Sequence, residues 1–131
     1  MTQFRIKVKG IIKNNDNYLL VKQWFDDNIN NPYQWGFIDE DLKFGDNPDD
    51  LVLTAIEEKT GIHAEIDNIL YTWTYVVGEV QYIGLAYLCD AQNDIVILSE
   101  DLNGYEWVHK EDLDIYIENK EMLQDVVKAL Q

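Results

Sequence analysis

The 131-residue sequence has one cysteine, Cys89, and no long apolar run. A single cysteine excludes an internal disulfide framework. The absence of disulfides is typical of a protein from a reducing compartment. A lone cysteine within an apolar strand pattern is more often a small core residue than a nucleophile. No apolar stretch reaches the roughly 20 residues that a transmembrane helix needs, and residues 1–10 lack the hydrophobic region of a signal peptide. We therefore expect a soluble, cytoplasmic protein.

Positive charge is scarce in this chain, because 10 Lys and Arg stand against 25 Asp and Glu, for a formal net charge of −15. Phosphate backbones and anionic bilayers would be repelled, which argues against nucleic acid and membranes as partners. A small phosphate-containing ligand can bind only where metal ions or a local cluster of positive charge neutralise it. The hydrophobic content of 47% excludes a disordered acidic tail. The length predicts one domain spanning residues 1–131.

Hydrophobic patterning predicts a sheet-rich chain. Charged and apolar residues alternate at the N-terminus, which indicates a half-buried strand with Arg5, Lys7 and Lys9 on one face. An Asn-rich turn follows, so this strand forms a hairpin with the next one. The later pattern predicts a surface loop (Asp26–Gln34), a short apolar element (Trp35–Ile38), two long antiparallel strands (Ala64–Asp90, interrupted at Val77–Glu79), a short strand (Asp94–Leu98) and, after an Asn103–Gly104 turn, a last strand (Tyr105–His109).

The clearest helix signal covers Pro48–Thr60. Asn47 can cap its N-terminus, a proline suits its first position, and Gly61 can terminate it. Two further helices are expected, Glu111–Tyr116 and an amphipathic Asn119–Leu130. Strands on both sides of a central helix predict an α+β fold, an α/β/α sandwich.

The stretch from Trp35 to Ile62 resembles the signature of the Nudix superfamily. There, a Trp-x-Phe-Pro-Gly-Gly lead-in precedes the box G-x5-E-x7-R-E-U-x-E-E-x-G-U, in which U is apolar. Laid on this chain without gaps, the box starts at Glu40, and the matching positions are Trp35, Phe37, Asp46 (for Glu), Ile56, Glu58, Gly61 and Ile62. The resemblance implies a Nudix-like fold, with a mixed, mainly antiparallel sheet between the box helix and the C-terminal helix.

Departures from the box remove two of its four acidic residues. Asp39 and Glu40 stand at the two glycines, Thr54 at the arginine, and Ala55 and Lys59 at two glutamates. The resemblance implies that box carboxylates hold Mg²⁺ or Mn²⁺, which orients water for diphosphate hydrolysis. Helical spacing puts positions 55, 58 and 59 on one face, which here offers a single carboxylate. We therefore expect no catalytic metal cluster, and no cofactor unless the chain is active.

Two arrangements remain open around this helix. If catalysis persists, Glu58 is the expected catalytic residue and metal ligand, with Asp46 in support. A displaced Mg²⁺ or Mn²⁺ site would draw on Glu58 together with Glu57, Asp39, Glu40 and Glu100. Alternatively, the acidic residues are a solvated loop, since carboxylates are common throughout this chain. We also expect an ion pair between Lys59 and its neighbour Glu58.

The resemblance implies a substrate cleft on the sheet face opposite the box helix. Aromatic residues that can stack on a planar ligand there are Trp35, Phe37, Tyr75 and Tyr82. Three functions stay open. The first is a nucleotide-binding, ligand-binding or regulatory domain that resembles pyrophosphohydrolases of nucleoside-diphosphate-linked substrates but has weak or absent hydrolysis. The second is an active pyrophosphohydrolase with a rearranged Mg²⁺ site, and the third is a protein–protein interaction module. Family resemblance is also compatible with a homodimer.

Overall fold

A computed structural model describes residues 2–24 and 34–131, so the expected loop Asp26–Gln34 lies outside the described residues except for Gln34. The elements of the described part are β1 (Gln3–Asn14), β2 (Asn17–Gln23), β3 (Trp35–Gly36), β4 (Ile38–Leu42), α1 (Pro48–Thr60), β5 (Ala64–Val77), β6 (Val80–Ala91), β7 (Leu102–His109), a 3-10 turn (Lys110–Asp112), α2 (Leu113–Tyr116) and α3 (Lys120–Ala129). None of the helices in this part combines the length and the apolar character needed to cross a membrane.

The sheet is built around β1, and its strands follow the order β3-β2-β1-β6-β5. β1 runs parallel to β6 over almost its whole length, while every other pair is antiparallel. β4 pairs with residues 6–10 of β1, and β7 pairs with β2. The expectation of a mixed, mainly antiparallel sheet is therefore confirmed.

Helices cover both faces of this sheet. Alternate residues of β1 point to opposite sides, so apolar residues on each side pack against a different helix. Val8 and Ile12 join the core under α1, and Ile11 joins the core shared with α2 and α3. α1 lies close to β1 at Gly10, where an added Cβ would come within 2.8 Å of the Ile56 Cδ1 atom. The α+β sandwich predicted from the sequence is confirmed.

α1 has the ends that its sequence predicts. The Asn47 side chain accepts hydrogen bonds from the backbone N–H groups of Asp49 and Asp50, at 3.0 and 3.2 Å. Gly61 ends the helix in the left-handed conformation, with φ of 72°. These caps fix where the box residues sit along the helix.

Removing the N-terminal cap should destabilise the fold measurably. We expect Asn47→Ala to lower the free energy of unfolding by about 1 kcal/mol, because two helical N–H groups lose their acceptor. Urea unfolding followed by circular dichroism measures the change. Asn47→Ser retains an acceptor and serves as the control. Equal losses in both variants would contradict a capping role.

The strand expected at Asp94–Leu98 is absent, and this prediction was wrong. The segment instead lies along the C-terminal end of α1, where the backbone N–H groups of Ile97 and Ser99 donate to the carbonyls of Thr60 and Lys59, both at 2.9 Å. The last carbonyls of a helix lack intrahelical donors, so a neighbouring extended segment can satisfy them. The apolar side chains of this segment suggested a strand, but its backbone serves as a helix cap.

Two other boundaries differ from the sequence analysis. Asp39, Glu40 and Asp41 belong to β4 and pair with β1, so they are not a solvated loop. Asn103–Gly104 is not a turn, because β7 begins at Leu102 and Gly104 pairs with Lys22 of β2. In both places cross-strand pairing with a central strand outweighs the local preference of acidic and Asn-Gly sequences for loops.

Candidate functional site

The box face of α1 carries an ammonium group in contact with the first residue of the aligned box. The Lys59 Nζ atom lies 3.8 Å from the Glu40 Oε2 atom and donates a hydrogen bond of 3.2 Å to the Asp39 carbonyl oxygen. The expected partner, Glu58, is not the one found. Consecutive helical residues point about 100° apart, so they do not face each other.

The donor set on this face does not fit a divalent cation. Ala55 is 3% exposed and packs in the core under α1, so it contributes no ligand. Thr54 and Glu58 are exposed. Within residues 2–24 and 34–131, no group of three or more His, Cys, Asp or Glu side chains is arranged to hold a metal ion. A hard cation needs several convergent oxygens, whereas positions 55, 58 and 59 of this face supply one carboxylate, that of Glu58, beside an ammonium group.

The other proposed ligands have separate surroundings. One Glu57 carboxylate oxygen lies 3.5 Å from His63 Nδ1 beyond the end of α1. The Asp46 carboxylate accepts a 2.9 Å hydrogen bond from the Lys43 N–H and so closes the turn before α1. Glu100 follows Ser99, which contacts the C-terminal end of α1, and its carbonyl accepts from the Trp24 indole N–H at 3.1 Å. Their roles as metal ligands remain predictions.

β4 places an acidic side chain near lysines on each face of the sheet. Asp39 is the register partner of Lys9 and Glu40 is the partner of Val8, so the two acidic side chains point to opposite faces. Glu40 therefore meets Lys59 under α1, while Asp39 acts on the lysines of the other face. The acidic residues at the two expected glycine positions are thus matched by lysines.

The face of the sheet opposite α1 combines the basic residues of β1 with aromatic residues of β5 and β6. Strand register aligns three rows across β1, β6 and β5: Arg5, Tyr82 and Tyr75; Lys7, Gly84 and Trp73; Lys9, Ala86 and Tyr71. The expected placement of the three basic residues on one face is consistent with this register. Tyr75 and Tyr82 stack with centroids 4.7 Å apart and an interplanar angle of 12°.

A cleft lies between this face and α3, with a volume of about 470 Å³. We call it the α3 cleft. Its walls are formed by Lys7, Lys9, Asp39, Trp73, Thr74, Tyr75, Asn119, Glu121, Met122 and Asp125. A smaller cavity of about 110 Å³ shares the Lys9, Asp39 and Met122 walls and extends to Phe37.

Two lysines of the α3 cleft differ in depth and therefore in pKa. Lys9 is only 8% exposed, and burial lowers its pKa, although Asp39 and Asp125 oppose the change. Burial also acts on Lys7, but Asp39, Tyr75 and Asp41 outweigh it and raise the pKa. The Lys7 Nζ atom lies 3.6 Å from the Asp41 carboxylate. Lys9 instead rests over the Trp73 ring, 4.3 Å from its centroid.

The aromatic residues singled out from the sequence are not gathered in one place. Tyr75 lines the α3 cleft and stacks on Tyr82. Phe37 is 5% exposed and belongs to the core on the α3 side. Trp35 packs edge-on against Tyr116 at 5.6 Å. Their roles in ligand binding remain predictions.

Sequence reasoning did not single out the contact between Trp73 and Gly84. The Trp73 ring lies flat on Gly84, where an added Cβ would overlap the ring atoms. Only this glycine lets the indole reach across β6 toward the Lys9 side chain. An isolated glycine within a β-branched and aromatic strand signals such a close approach, but the sequence does not reveal what approaches it.

Comparison with known proteins relates this architecture to solved structures. No protein-family model and no curated protein sequence matches the chain. A MutT protein from Methanosarcina mazei Go1 superposes with a TM-score of 0.79 at 20% identity, covering 97% of this chain and 92% of that one. A C. elegans Ap4A hydrolase in a binary complex gives 0.78 at 17% identity, with 96% and 94% covered.

A MutT NUDIX hydrolase from Burkholderia pseudomallei is similar to the same extent, with a TM-score of 0.77 at 21% identity and coverage of 95% and 98%. At such low identities the agreement concerns the backbone, and it extends over nearly the whole chain. This chain therefore has the fold of the Nudix and MutT hydrolases.

Proposed function

We propose that this protein is a ligand-binding domain with the Nudix fold, in which Lys59 supplies the positive charge that a divalent cation provides in an active box. Its ligand is a nucleotide or another phosphate-containing small molecule, and its metal-dependent hydrolysis is weak or absent. The observation that carries the proposal is the position of the Lys59 ammonium, against Glu40 and the Asp39 carbonyl.

Electrostatics supports this proposal. A chain with a formal net charge of −15 repels phosphates unless a local cation compensates. The Lys59 side chain is 22% exposed, so its ammonium remains accessible to a ligand while its stem is held by packing. Lysine is a strongly hydrated point charge that binds phosphate without a metal ion. The pairing with Glu40 is exposed enough to exchange for a ligand phosphate.

The relatives in structure support the ligand class. One of the solved structures similar to this chain is named as an Ap4A hydrolase in a binary complex. The fold can therefore present a nucleotide site. On the helix face that carries Glu58, this chain lacks the carboxylates of box positions 55 and 59.

A nucleotide panel tests the proposal directly. The purified chain is incubated with nucleotide sugars, dinucleoside polyphosphates and nucleoside triphosphates, each with Mg²⁺ and with EDTA, and products are separated by chromatography. Thermal shift measures binding in parallel. We expect binding that EDTA does not abolish and no turnover above a protein-free blank.

A matched variant makes the panel decisive. Lys59→Gln keeps a polar side chain of similar length but removes the charge, and we expect nucleotide affinity to fall about tenfold. Lys43→Gln, at an exposed lysine outside this pair, should have no effect. Robust Mg²⁺-dependent turnover by the parent would favour the active hydrolase instead. A panel without any thermal shift would favour the interaction module.

A further inference from the structure

We propose that this chain forms a symmetric dimer through β5, in which residues 71–77 of two copies pair as antiparallel strands about Thr74. We call residues 71–77 the β5 edge. The partner is a second copy of this chain, and the two sheets join into one continuous sheet. This inference concerns an edge of the sheet and does not rest on the proposed function.

The β5 edge is an open strand edge. β5 is the last strand of the order β3-β2-β1-β6-β5, and in the described part of the chain it pairs with β6 alone. Half of the backbone N–H and C=O groups of such a strand point away from its neighbour. The side chains at the end of this edge are accessible as well, since Val76 and Val77 are 65% and 62% exposed. A further strand can therefore add here.

The β5 edge lacks the features that keep open strands apart. Natural edge strands carry charged residues, prolines or bulges that prevent pairing. The first half of β5 has such features, because it contains Glu65, Asp67 and two register shifts before residue 71. Residues 71–77 follow β6 without a shift and contain neither a charged residue nor a proline. The second half of β5 is therefore competent to pair.

Charge selects a second copy as the partner at this edge. With a formal net charge of −15, two copies repel each other unless they meet on a neutral surface. The other open strands of the described sheet are short or acidic: β3 has two residues, β4 has three consecutive acidic residues, and β7 contains Glu106. A basic partner would be drawn to acidic surfaces of this kind. The neutral β5 edge suits another neutral strand, such as its own copy.

The sequence of the β5 edge is complementary to itself. Directly opposite residues in an antiparallel pair lie on the same face of the sheet. Pairing about Thr74 makes the following residues of the two copies opposite each other: Tyr71 and Val77, Thr72 and Val76, Trp73 and Tyr75, and Thr74 with Thr74. Aromatic pairs, pairs of aromatic with β-branched residues and Thr pairs stabilise antiparallel strands. Both exposed valines gain a partner, and no charged residue faces another.

Contacts within one copy already hold the β5 edge in place. Tyr75 stacks on Tyr82 of β6, and the Thr74 hydroxyl donates a 2.7 Å hydrogen bond to the Tyr82 carbonyl. The Trp73 ring lies on Gly84 of the same neighbouring strand. A second strand therefore meets an ordered edge, which lowers the entropic cost of association.

Sedimentation equilibrium of the full chain tests the inference, at about 0.5 M salt to screen the repulsion between acidic copies. We expect a monomer–dimer equilibrium with a dissociation constant on the order of 100 µM, because a short strand edge buries less area than a permanent interface. Between about 10 µM and about 1 mM protein the monomer fraction then falls about fourfold. Hydrogen exchange of the outward-facing amides in residues 71–77 should slow by about the same factor, whereas α3 should not change.

Charge variants test the register of the two strands. Thr72→Lys/Val76→Lys places lysine opposite lysine at two sites of the dimer, and we expect no dimer at about 1 mM. This variant lowers the net negative charge, so overall repulsion cannot explain the loss. Thr72→Glu/Val76→Lys places a glutamate opposite a lysine at the same two sites and should dimerise as the parent does. Both positions are exposed, so the monomer should tolerate either pair of changes, and thermal melting checks this.

Ile115→Lys is the control, because Ile115 is also exposed but lies on α2, away from the β5 edge. It should dimerise as the parent does. Four results would overturn the inference: a monomer at every concentration, a dimer that persists in Thr72→Lys/Val76→Lys, no dimer in Thr72→Glu/Val76→Lys, or slowed exchange in another strand instead of β5. Failure of the proposed function would appear in the nucleotide panel and leave the association state unchanged.

Discussion

The variant Glu40→Gly/Ala55→Glu/Lys59→Glu is expected to bind Mn²⁺ about 100-fold more tightly than the parent chain. It places carboxylates at positions 55 and 59 beside Glu58 and removes the ammonium. Without a metal ion these carboxylates repel each other, so the variant should be less stable than the parent in EDTA and regain stability when Mn²⁺ is added. Calorimetric titration and thermal melting measure both effects.

Glu40→Gly belongs in this variant because the structure pairs Glu40 with Lys59. Reversing the charge of Lys59 alone would leave Glu40 facing another carboxylate. The control Glu40→Gly/Ala55→Glu retains Lys59, and we expect it not to bind Mn²⁺ in the micromolar range.

Ala55 is buried, so a glutamate there can impair folding. The variant Glu40→Gly/Lys59→Glu avoids this risk and should show a smaller gain in Mn²⁺ affinity. Micromolar Mn²⁺ binding by the parent, abolished by Glu58→Gln, would contradict the proposal that the Lys59 ammonium takes the place of the divalent cation.

Gly84→Ala is expected to lower the free energy of unfolding by about 2 kcal/mol, because the new methyl group would overlap the Trp73 ring. The ring must move away from the sheet, which also breaks its contact with Lys9. Urea unfolding measures the stability, and near-ultraviolet circular dichroism reports the altered surroundings of the indole.

Gly104→Ala is the matched control, because among the described residues a Cβ there meets only Trp35, at an ordinary contact distance of 3.8 Å. It should unfold within about 0.5 kcal/mol of the parent. Combining Gly84→Ala with Trp73→Leu should cost less than the sum of the single changes, since both act on one contact. Strict additivity would show that the indole does not lie on Gly84.

Local signals predicted α1 well and failed where tertiary pairing overrides them. Asn47 and Gly61 determine the ends of α1 through interactions within a few residues, so the sequence is sufficient there. The acidic residues in the middle of β4 looked like a loop because propensity ignores the partner strand. The segment at Asp94–Leu98 looked like a strand, although its hydrogen bonds are used by the end of α1.

For this protein, the sequence by itself determined the α+β class, the extent of α1, the basic face of β1 and the loss of carboxylates at positions 55 and 59. Only the tertiary structure decided that Lys59 pairs with Glu40 rather than Glu58, and that Lys9 is buried over Trp73. Periodicity gives the direction of a side chain within its own element. Depth and partners depend on which distant strand or helix packs there, and that choice is made by the whole chain.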